Sequence, residues 1–543
     1  MEACTVLKAS AWLVAAATAA CLAAAAFAAP GGDPAAARGG SLRLPALFCD
    51  EMVLQRDVEA PIWGWAAPHA EITIDAGPAK DIPARRRRAR ATADAAGRWT
   101  ARLGPLPAGG PYDISIRAAD ANGAVAGAAV RNVLAGEVWL CAGQSNMELS
   151  LRKSTGGVEA AAAADCPQIR YFRVAKRSLR RPGDDVAGRW VVCSPRTAGG
   201  FAGVAYFFGR TLHDKLGVPV GLIDNSWSGA AAESLLPLEA IAGEGKLAGR
   251  VEQWERYRRD WPALLADFAA KDAAWRKLPG DAQAARAAER PRRPKDPNGP
   301  ETTLAGLYNG MVAGLAPFTM RGITFYQGEN NVMNADQYRT LFPLLIRTWR
   351  RLWRQGDMPF LFVQIANFGE SSAQPTDGIW PRIRDAQLSG LGEPNTAMVV
   401  TIDVGGEFHA PDKRPVGERL ALAARALAYG ERRLVYCGPL PAGAAFADGR
   451  AVVTFRHVGD GLASRGGGAL RGFALAGADR RFVWAEAHVA GPKRDRVEVS
   501  CPAVAKPLAV RYAWDVNPVC NLVNSSGLPA CPFRSDDWPM EAP

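Results

Sequence analysis

Gly136-Glu-Val-Trp-Leu-Cys-Ala-Gly-Gln-Ser-Asn-Met-Glu148 is the stretch on which the rest of the chain is organised. Glu137 to Ala142 has the apolar run of a short buried strand, and Gly143-Gln144-Ser145-Asn146 follows at once, so Ser145 falls on a turn at the strand's C-terminal end. Open α/β sheets place their chemistry at that end. A glycine in the turn lets another backbone or a substrate come close, and a serine that opens a helix keeps its N–H free for an oxyanion. Ser145 is therefore the candidate nucleophile. Gly-x-Ser alone is more often an N-cap or a plain turn, so a catalytic serine needs partners elsewhere in the chain.

Two later stretches supply them. Ile323-Thr-Phe-Tyr-Gln-Gly-Glu-Asn-Asn331 runs from a strand into Gln327-Gly328-Glu329-Asn330-Asn331, a polar cluster too dense for a core. Ala397 to Ile402 is another buried strand, ending in Asp403-Val-Gly-Gly-Glu407-Phe-His409 ahead of a helix rich in Ala, Leu and Arg. Together the three stretches resemble the SGNH-hydrolase superfamily and, within it, the sialate O-acetylesterase family, whose members carry Gly-Gln-Ser-Asn-Met, Tyr-Gln-Gly-Glu-x-Asn and a late His-Pro loop. The resemblance extends to Leu47-Phe-Cys-Asp-Glu-Met-Val-Leu-Gln-Arg56, Pro61-Ile-Trp-Gly-Trp65, Leu307-Tyr-Asn-Gly-Met311 and Cys520-Asn-Leu-Val-Asn524 with Gly527-Leu-Pro-Ala-Cys-Pro-Phe-Arg534. It implies an SGNH-hydrolase-like α/β fold.

At 543 residues and 48% hydrophobic content the chain exceeds one core and divides into several regions. Residues 1–28 have the charged start, apolar middle and small-residue exit of a secretory signal peptide, with cleavage expected near Ala28. Residues 40–133 show short alternating apolar runs broken by Gly, Pro and Asn turns, the pattern of an antiparallel β domain. Residues 134–430 alternate buried strand and helix, with helices at Gly203 to Leu216 and Asp336 to Trp353 and strands at Val218 to Ile223 and Phe360 to Ile365. That alternation predicts a doubly wound parallel sheet. An insertion at 235–302 is helical in pattern to Pro279 and Pro-rich beyond. Residues 431–535 return to short strands, so β-sandwich-like regions flank the core.

Removing Cys4 and Cys21 with the signal leaves eight of the ten cysteines, an even count that favours disulfides in an exported chain. Nearness suggests Cys166 with Cys193 and Cys520 with Cys531, with Cys141 left free in its core strand. There is no Cys-x-x-Cys and no histidine cluster, so no structural metal is expected. Asn524-Ser-Ser526 is an N-glycosylation sequon. The net charge of +11 is largely local: Arg85-Arg-Arg-Arg88 reads as a solvated loop, and no aromatics interleave the basic runs, which argues against nucleic acid. No membrane partner is expected after signal cleavage, and the oligomeric state is left open.

A serine hydrolase needs a histidine base, and of five histidines, His69, His457 and His488 fall in β regions and His213 near a helix C-terminus. His409 remains, in a loop just past a strand-end acid. Ala410 separates it from Pro411, a departure from the family's His-Pro. The superfamily's Asp-x-x-His would need Asp at 406, where this chain has Gly406, so Glu407 and Asp403 both stand as the orienting acid, with a backbone carbonyl in place of either as the third alternative. For the oxyanion, the Ser145 N–H is joined by Gly229 of Trp227-Ser228-Gly229, which resembles the family's Trp-Gly-Gly turn, and by an amide from Gln327 or Asn331; Gln144 is counted with them among the oxyanion- or substrate-binding residues. Acyl transfer by these groups requires no cofactor. The resemblance implies removal of O-acetyl groups from sialic acids; an acetylxylan-type esterase, or a carbohydrate-binding protein with a decayed site, is the alternative.

Overall fold

In a computed structural model, residues 42–78 and 86–539 are described; the signal-like segment 1–28 lies outside them. Six strands precede the long strand that leads to Ser145: β1 (Val53–Gln55), β2 (Ala60–Trp65), β3 (Glu71–Pro78), β4 (Arg87–Thr92), β5 (Arg98–Leu103) and β6 (Gly109–Ala119). Period-2 alternation turns Ile72, Ile74 and Ala76 of β3 and Tyr112, Ile114 and Ile116 of β6 inward. β3 pairs antiparallel with β4 and β6, and β2 with β5. The arginine run is not a solvated loop over its described part. Arg87 and Arg88 lie in β4, and Arg86 and Arg88 each donate to Asp75 at 2.9 Å.

β7 (Val125–Gly143) is 19 residues long and belongs to two sheets. Its first half pairs antiparallel with β6, alternating and half exposed, while its second half is buried throughout and enters the central sheet. The boundary expected at 133/134 thus falls inside one continuous strand.

The central sheet adds β8 (Ile169–Arg173), β9 (Trp190–Val192), β10 (Val220–Ser226), β11 (Gly322–Tyr326), β12 (Phe360–Val363) and β13 (Thr396–Val399), in the order β13-β12-β11-β7-β10-β8-β9. All pairings are parallel except the antiparallel edge strand β9. Strand order reverses at β7, with β10 on one side and β11 on the other, and a ligand crevice opens at such a switch point.

Helices α1 (Gly203–Leu216), α2 (Ala335–Trp353), α3 (Ile379–Gln387) and α4 (Arg414–Ala428) cover the two faces. Phe208 of α1 meets Trp139 edge-on at 5.1 Å, and Phe342 of α2 stacks with Phe325 at 5.7 Å. Phe325 is the register partner of Ala142, three residues from Trp139, so period 2 puts the two contacts on opposite faces. The sheet is doubly wound. β10 starts two residues later than its apolar run predicts, because Gly217 closes α1 at φ 65° and Pro219 has no N–H to give a ladder.

The 29-residue helix Ala248–Arg276 fills much of the insertion, and residues 256–296 cluster as a unit of their own. Beyond residue 430, β14 (Leu440–Ala447), β15 (Arg450–Arg456), β16 (Leu462–Ser464), β17 (Phe473–Ala476), β18 (Val483–Trp484), β19 (Glu486–Ala490), β20 (Arg496–Ser500), β21 (Ala509–Tyr512), β22 (Leu522–Asn524) and β23 (Phe533–Arg534) follow. They include two antiparallel sheets, β14-β15-β20-β19 and β18-β17-β21-β23, sharing a core that includes Val453, Phe455, Val497, Val510 and Tyr512.

Two covalent expectations are corrected. The eight described cysteines are free thiols: Cys166 accepts from Arg210 at 2.7 Å, Cys193 donates to the Ala164 carbonyl at 3.7 Å, and buried Cys531 contacts Gln364 rather than Cys520. Asn524 of the sequon is 1% exposed, its Nδ2 bonded to the carbonyls of Cys437 and His457 at 3.0 and 2.9 Å, so no glycan can be carried there in the folded chain.

Glu137, 0% exposed in β7, ties the regions together. It accepts from Gln55 at 3.0 Å, Arg56 at 2.5 Å, Arg321 at 2.7 Å and Tyr429 at 3.1 Å. Burial alone would raise its pKa, but the bond and charge of Arg321 outweigh it and the carboxyl is held below its ordinary value. Glu137→Ala leaves Arg321 without that compensation and should cost about 3–5 kcal/mol of stability, read by urea denaturation. The wild-type contribution is present above the ordinary carboxyl pKa and fades as pH falls through the lowered folded value.

Candidate active site

The turn after β7 is fixed by a backbone contact that only glycine permits. Gly143 has φ +143°, and a Cβ there would lie 2.0 Å from the Tyr326 carbonyl oxygen at the end of β11. Gln144 N–H donates to that same oxygen at 3.0 Å, and Trp227 N–H donates to Gly143 O at 3.1 Å. The ends of β7, β10 and β11 are therefore drawn together under Ser145, which begins a single helical turn, Ser145–Glu148.

Asn146 binds three motifs at once. Its Nδ2 donates to Glu329 Oε1 at 2.6 Å and to the Phe408 carbonyl at 3.4 Å, and its Oδ1 accepts from Lys413 Nζ at 2.6 Å. The serine turn, the Gln327–Asn331 cluster and the histidine loop thus meet on one side chain. Phe408 packs on Phe368 and Trp380 at 5.4 and 6.2 Å and carries the ring of His409 against its own at 4.9 Å.

The two candidate acids differ sharply. Asp403 is engaged by Arg419 through both oxygens at 2.7 Å and by Arg465 at 2.7 Å. Burial works against its charge, but the Arg419 bond and charge prevail and hold its pKa low. It joins α4 to Arg465. Glu407 is exposed, and its charge acts on the His409 ring. Among the described residues no carboxylate is hydrogen-bonded to that ring. The pKa of His409 is lowered, first by partial burial and then by the Lys413 charge, against the opposing pull of Glu148 and Glu407.

Donor accounting separates the amides. Gln327 Nε2 is spent on Asn331 Oδ1, the Ala230 carbonyl and Gln144 Oε1 at 2.7, 3.1 and 3.3 Å. Asn331 Nδ2 is spent on Glu233 at 2.7 Å, and its Oδ1 also accepts the Ala232 N–H at 3.0 Å. Both amides thus have their N–H groups engaged within the network. Gln144 uses its oxygen for Gln327 and for the Asn330 N–H at 3.3 Å, while its Nε2 donates to no acceptor within the described chain. The N–H groups of Ser145 and Gly229 are equally unspent. Gly229 sits at φ +78°, its carbonyl held by Asn330 at 2.9 Å, and its turn is tied to the serine helix by Ser228 N–H to Glu148 at 2.6 Å.

Sequence reasoning passed over Asn146, Glu148 and Lys413. Lys413 is 0% exposed and pushed down to about 7, chiefly by burial, with Glu329 and Asp412 opposing. Burial raises the pKa of Glu329, one of whose oxygens lacks a partner. Nothing in the sequence separates such a lysine from a solvated one ahead of a helix. The motif Gly-Gln-Ser-Asn did carry Asn146, but as a neighbour of the serine rather than as a bridge.

Because the neutral imidazole of His409 is favoured, the acid limb of a kcat/KM profile should have its midpoint below the ordinary histidine value of about 6.5. Activity is then full at neutral pH and lost as pH falls through that midpoint, measured with 4-nitrophenyl acetate from pH 4 to 8.

A family model described as a carbohydrate esterase, sialic acid-specific acetylesterase, matches residues 301–425. The chain is 28% identical to the sialate O-acetylesterase of Pongo abelii over 91% of this chain and 92% of that one. It is 29% identical to the sialate O-acetylesterase of Mus musculus over 74% and 76%. Among solved structures, a carbohydrate acetylesterase from Xanthomonas citri is 36% identical with a TM-score of 0.75, covering 92% of this chain and all of that one.

Proposed function

Because the chain belongs to the sialate O-acetylesterase family of carbohydrate esterases, we propose that Ser145 and His409 remove O-acetyl groups from sugars through an acetyl-enzyme. The protein is a carboxylic ester hydrolase of O-acetylated sialic acids or other acetylated sugars. The observation that carries the residue roles is Asn146, which fastens the serine turn to the carbonyl preceding His409.

His409 takes the Ser145 hydroxyl proton as the Oγ attacks the acetyl carbonyl. The oxyanion accepts from the Ser145 and Gly229 N–H groups and from Gln144 Nε2, all unspent within the chain. Collapse expels the sugar alkoxide, which takes the proton from imidazolium. Water, deprotonated by His409, then attacks the acetyl carbonyl; acetate leaves and Ser145 Oγ recovers its proton. Glu407 steadies the imidazolium, a role for which Asp403, neutralised by two arginines, is unsuited. The signal-like segment 1–28 supports export along the secretory route to an extracellular or lysosome- or vacuole-like compartment. No described helix is long and apolar enough to cross a membrane.

Ser145→Ala should lower hydrolysis of 4-nitrophenyl acetate and of an O-acetylated sugar by about three orders of magnitude or more, with an unchanged melting temperature. Glu407→Gln removes an exposed charge that acts on His409 through space and should lower kcat by about tenfold or less. Asp403→Asn should lower the melting temperature and leave kcat per folded molecule near wild type. Wild-type turnover by purified Ser145→Ala would overturn the assignment.

A further inference from the structure

A second concave site lies in the C-terminal β region and shares no lining residue with the catalytic cluster. It is a cavity of about 340 Å³ whose walls include Phe482, Trp484, Trp514, Trp538, Arg480 and Arg511. Trp484 is 37% exposed, yet its indole N–H donates to the Ala373 carbonyl at 2.9 Å. Its ring is held in orientation while a face stays open. Phe482 and Trp538 meet at 5.8 Å and 50° to form a second aromatic surface.

The two arginines have different duties. Arg511, buried, is spent on Asp536 at 2.9 and 3.0 Å and on Asp377, and lies 3.8 Å over Phe482. It stiffens the wall. Arg480 is exposed, sits 5.4 Å over Trp538, and makes no side-chain hydrogen bond or ion pair with any described residue. A guanidinium already poised on an aromatic face, with its donors free, suits a planar carboxylate. Aromatic faces with a few convergent polar groups are the lining of a small-ligand site.

The cavity is joined to the catalytic site through one loop. Phe368, after β12, packs on Phe408 beside His409, and further along the same loop Ala373 holds Trp484 while Thr376 and Asp377 line the cavity. Asp515 pins that loop by accepting from Ser372 N–H and Oγ at 2.8 and 2.9 Å.

We propose that this cavity is a subsite for a carboxylate-bearing sugar residue, a sialic or uronic acid unit of the acetylated glycan, with Arg480 taking the carboxylate and Trp484 and Trp538 taking the ring. The choice of a sugar as ligand rests on the carbohydrate-esterase reading above; the charge of the ligand rests on Arg480. Saturation-transfer NMR and tryptophan fluorescence titrations of the full chain with N-acetylneuraminic acid, glucuronic acid and glucose test it. At least one acid should bind, glucose should bind about tenfold more weakly, and Arg480→Gln and Trp484→Ala should each weaken acid binding by about tenfold or more. The acid that binds more tightly names the source. Both variants should hydrolyse 4-nitrophenyl acetate at the wild-type rate and show a raised KM with unchanged kcat on an acidic acetylated glycan. Unchanged acid binding by Arg480→Gln, or no binding of either acid by the wild type, overturns the proposal. Arg480-dependent binding in a chain that fails to hydrolyse 4-nitrophenyl acetate would sink the esterase roles and leave the subsite standing.

Discussion

Asn146 is the side chain on which the catalytic arrangement depends, because its three hydrogen bonds reach parts of the chain separated by well over a hundred residues. A buried amide in that position is costly to leave unpaired and strongly orienting when paired. On one side it meets Glu329 and on the other Lys413, both buried and both shifted toward their neutral forms. Burial pushes Lys413 down to about 7, and its charge is one of the causes that lower the His409 pKa.

The backbone contact at Gly143 plays a complementary part. It brings the end of β7 within hydrogen-bonding reach of the end of β11, and the amides of Gln144, Gln327 and Asn331 then fill the space between strand ends with mutually satisfied groups. A network this complete is rigid, and rigidity is what an oxyanion site requires, since donors must already point at charge that exists only transiently. The N–H groups of Ser145 and Gly229 and the Gln144 Nε2 are left over beside that network.

Local signals revealed local facts. The strand-end serine, the loop histidine reached by elimination, and the limits of α1 were all legible, because each follows from periodicity or residue type within a dozen positions. What failed depended on distant partners. Asp403 and Glu407 look alike in sequence, and only Arg419 on the next helix and Arg465 in the C-terminal region separate them. Gln327, Asn331 and Gln144 are equivalent amides until their donors are counted. An even number of cysteines says nothing of whether two thiols meet, and the sequon at Asn524 is closed by carbonyls at positions 437 and 457. Glu137 stands in the sequence as the first residue of a core strand, although four donors from the N-terminal and central regions converge on it.

The sharing of β7 between two sheets also has a bearing on how the chain is made. As synthesis proceeds from the N-terminus, the first half of β7 can pair with β6 and β1 as soon as residue 143 has emerged, but its catalytic half waits for β10 at 220–226 and β11 at 322–326. For that interval an apolar strand, from Glu137 to Gly143, is a naked edge anchored to a finished hairpin. Such an edge is both a template and a hazard: it sets the register for β10 and β11, and it offers any other nascent chain a place to pair. The N-terminal β region is thus the seed crystal of the enzyme, and the interval before residue 226 emerges is when the nascent chain is most exposed to aggregation.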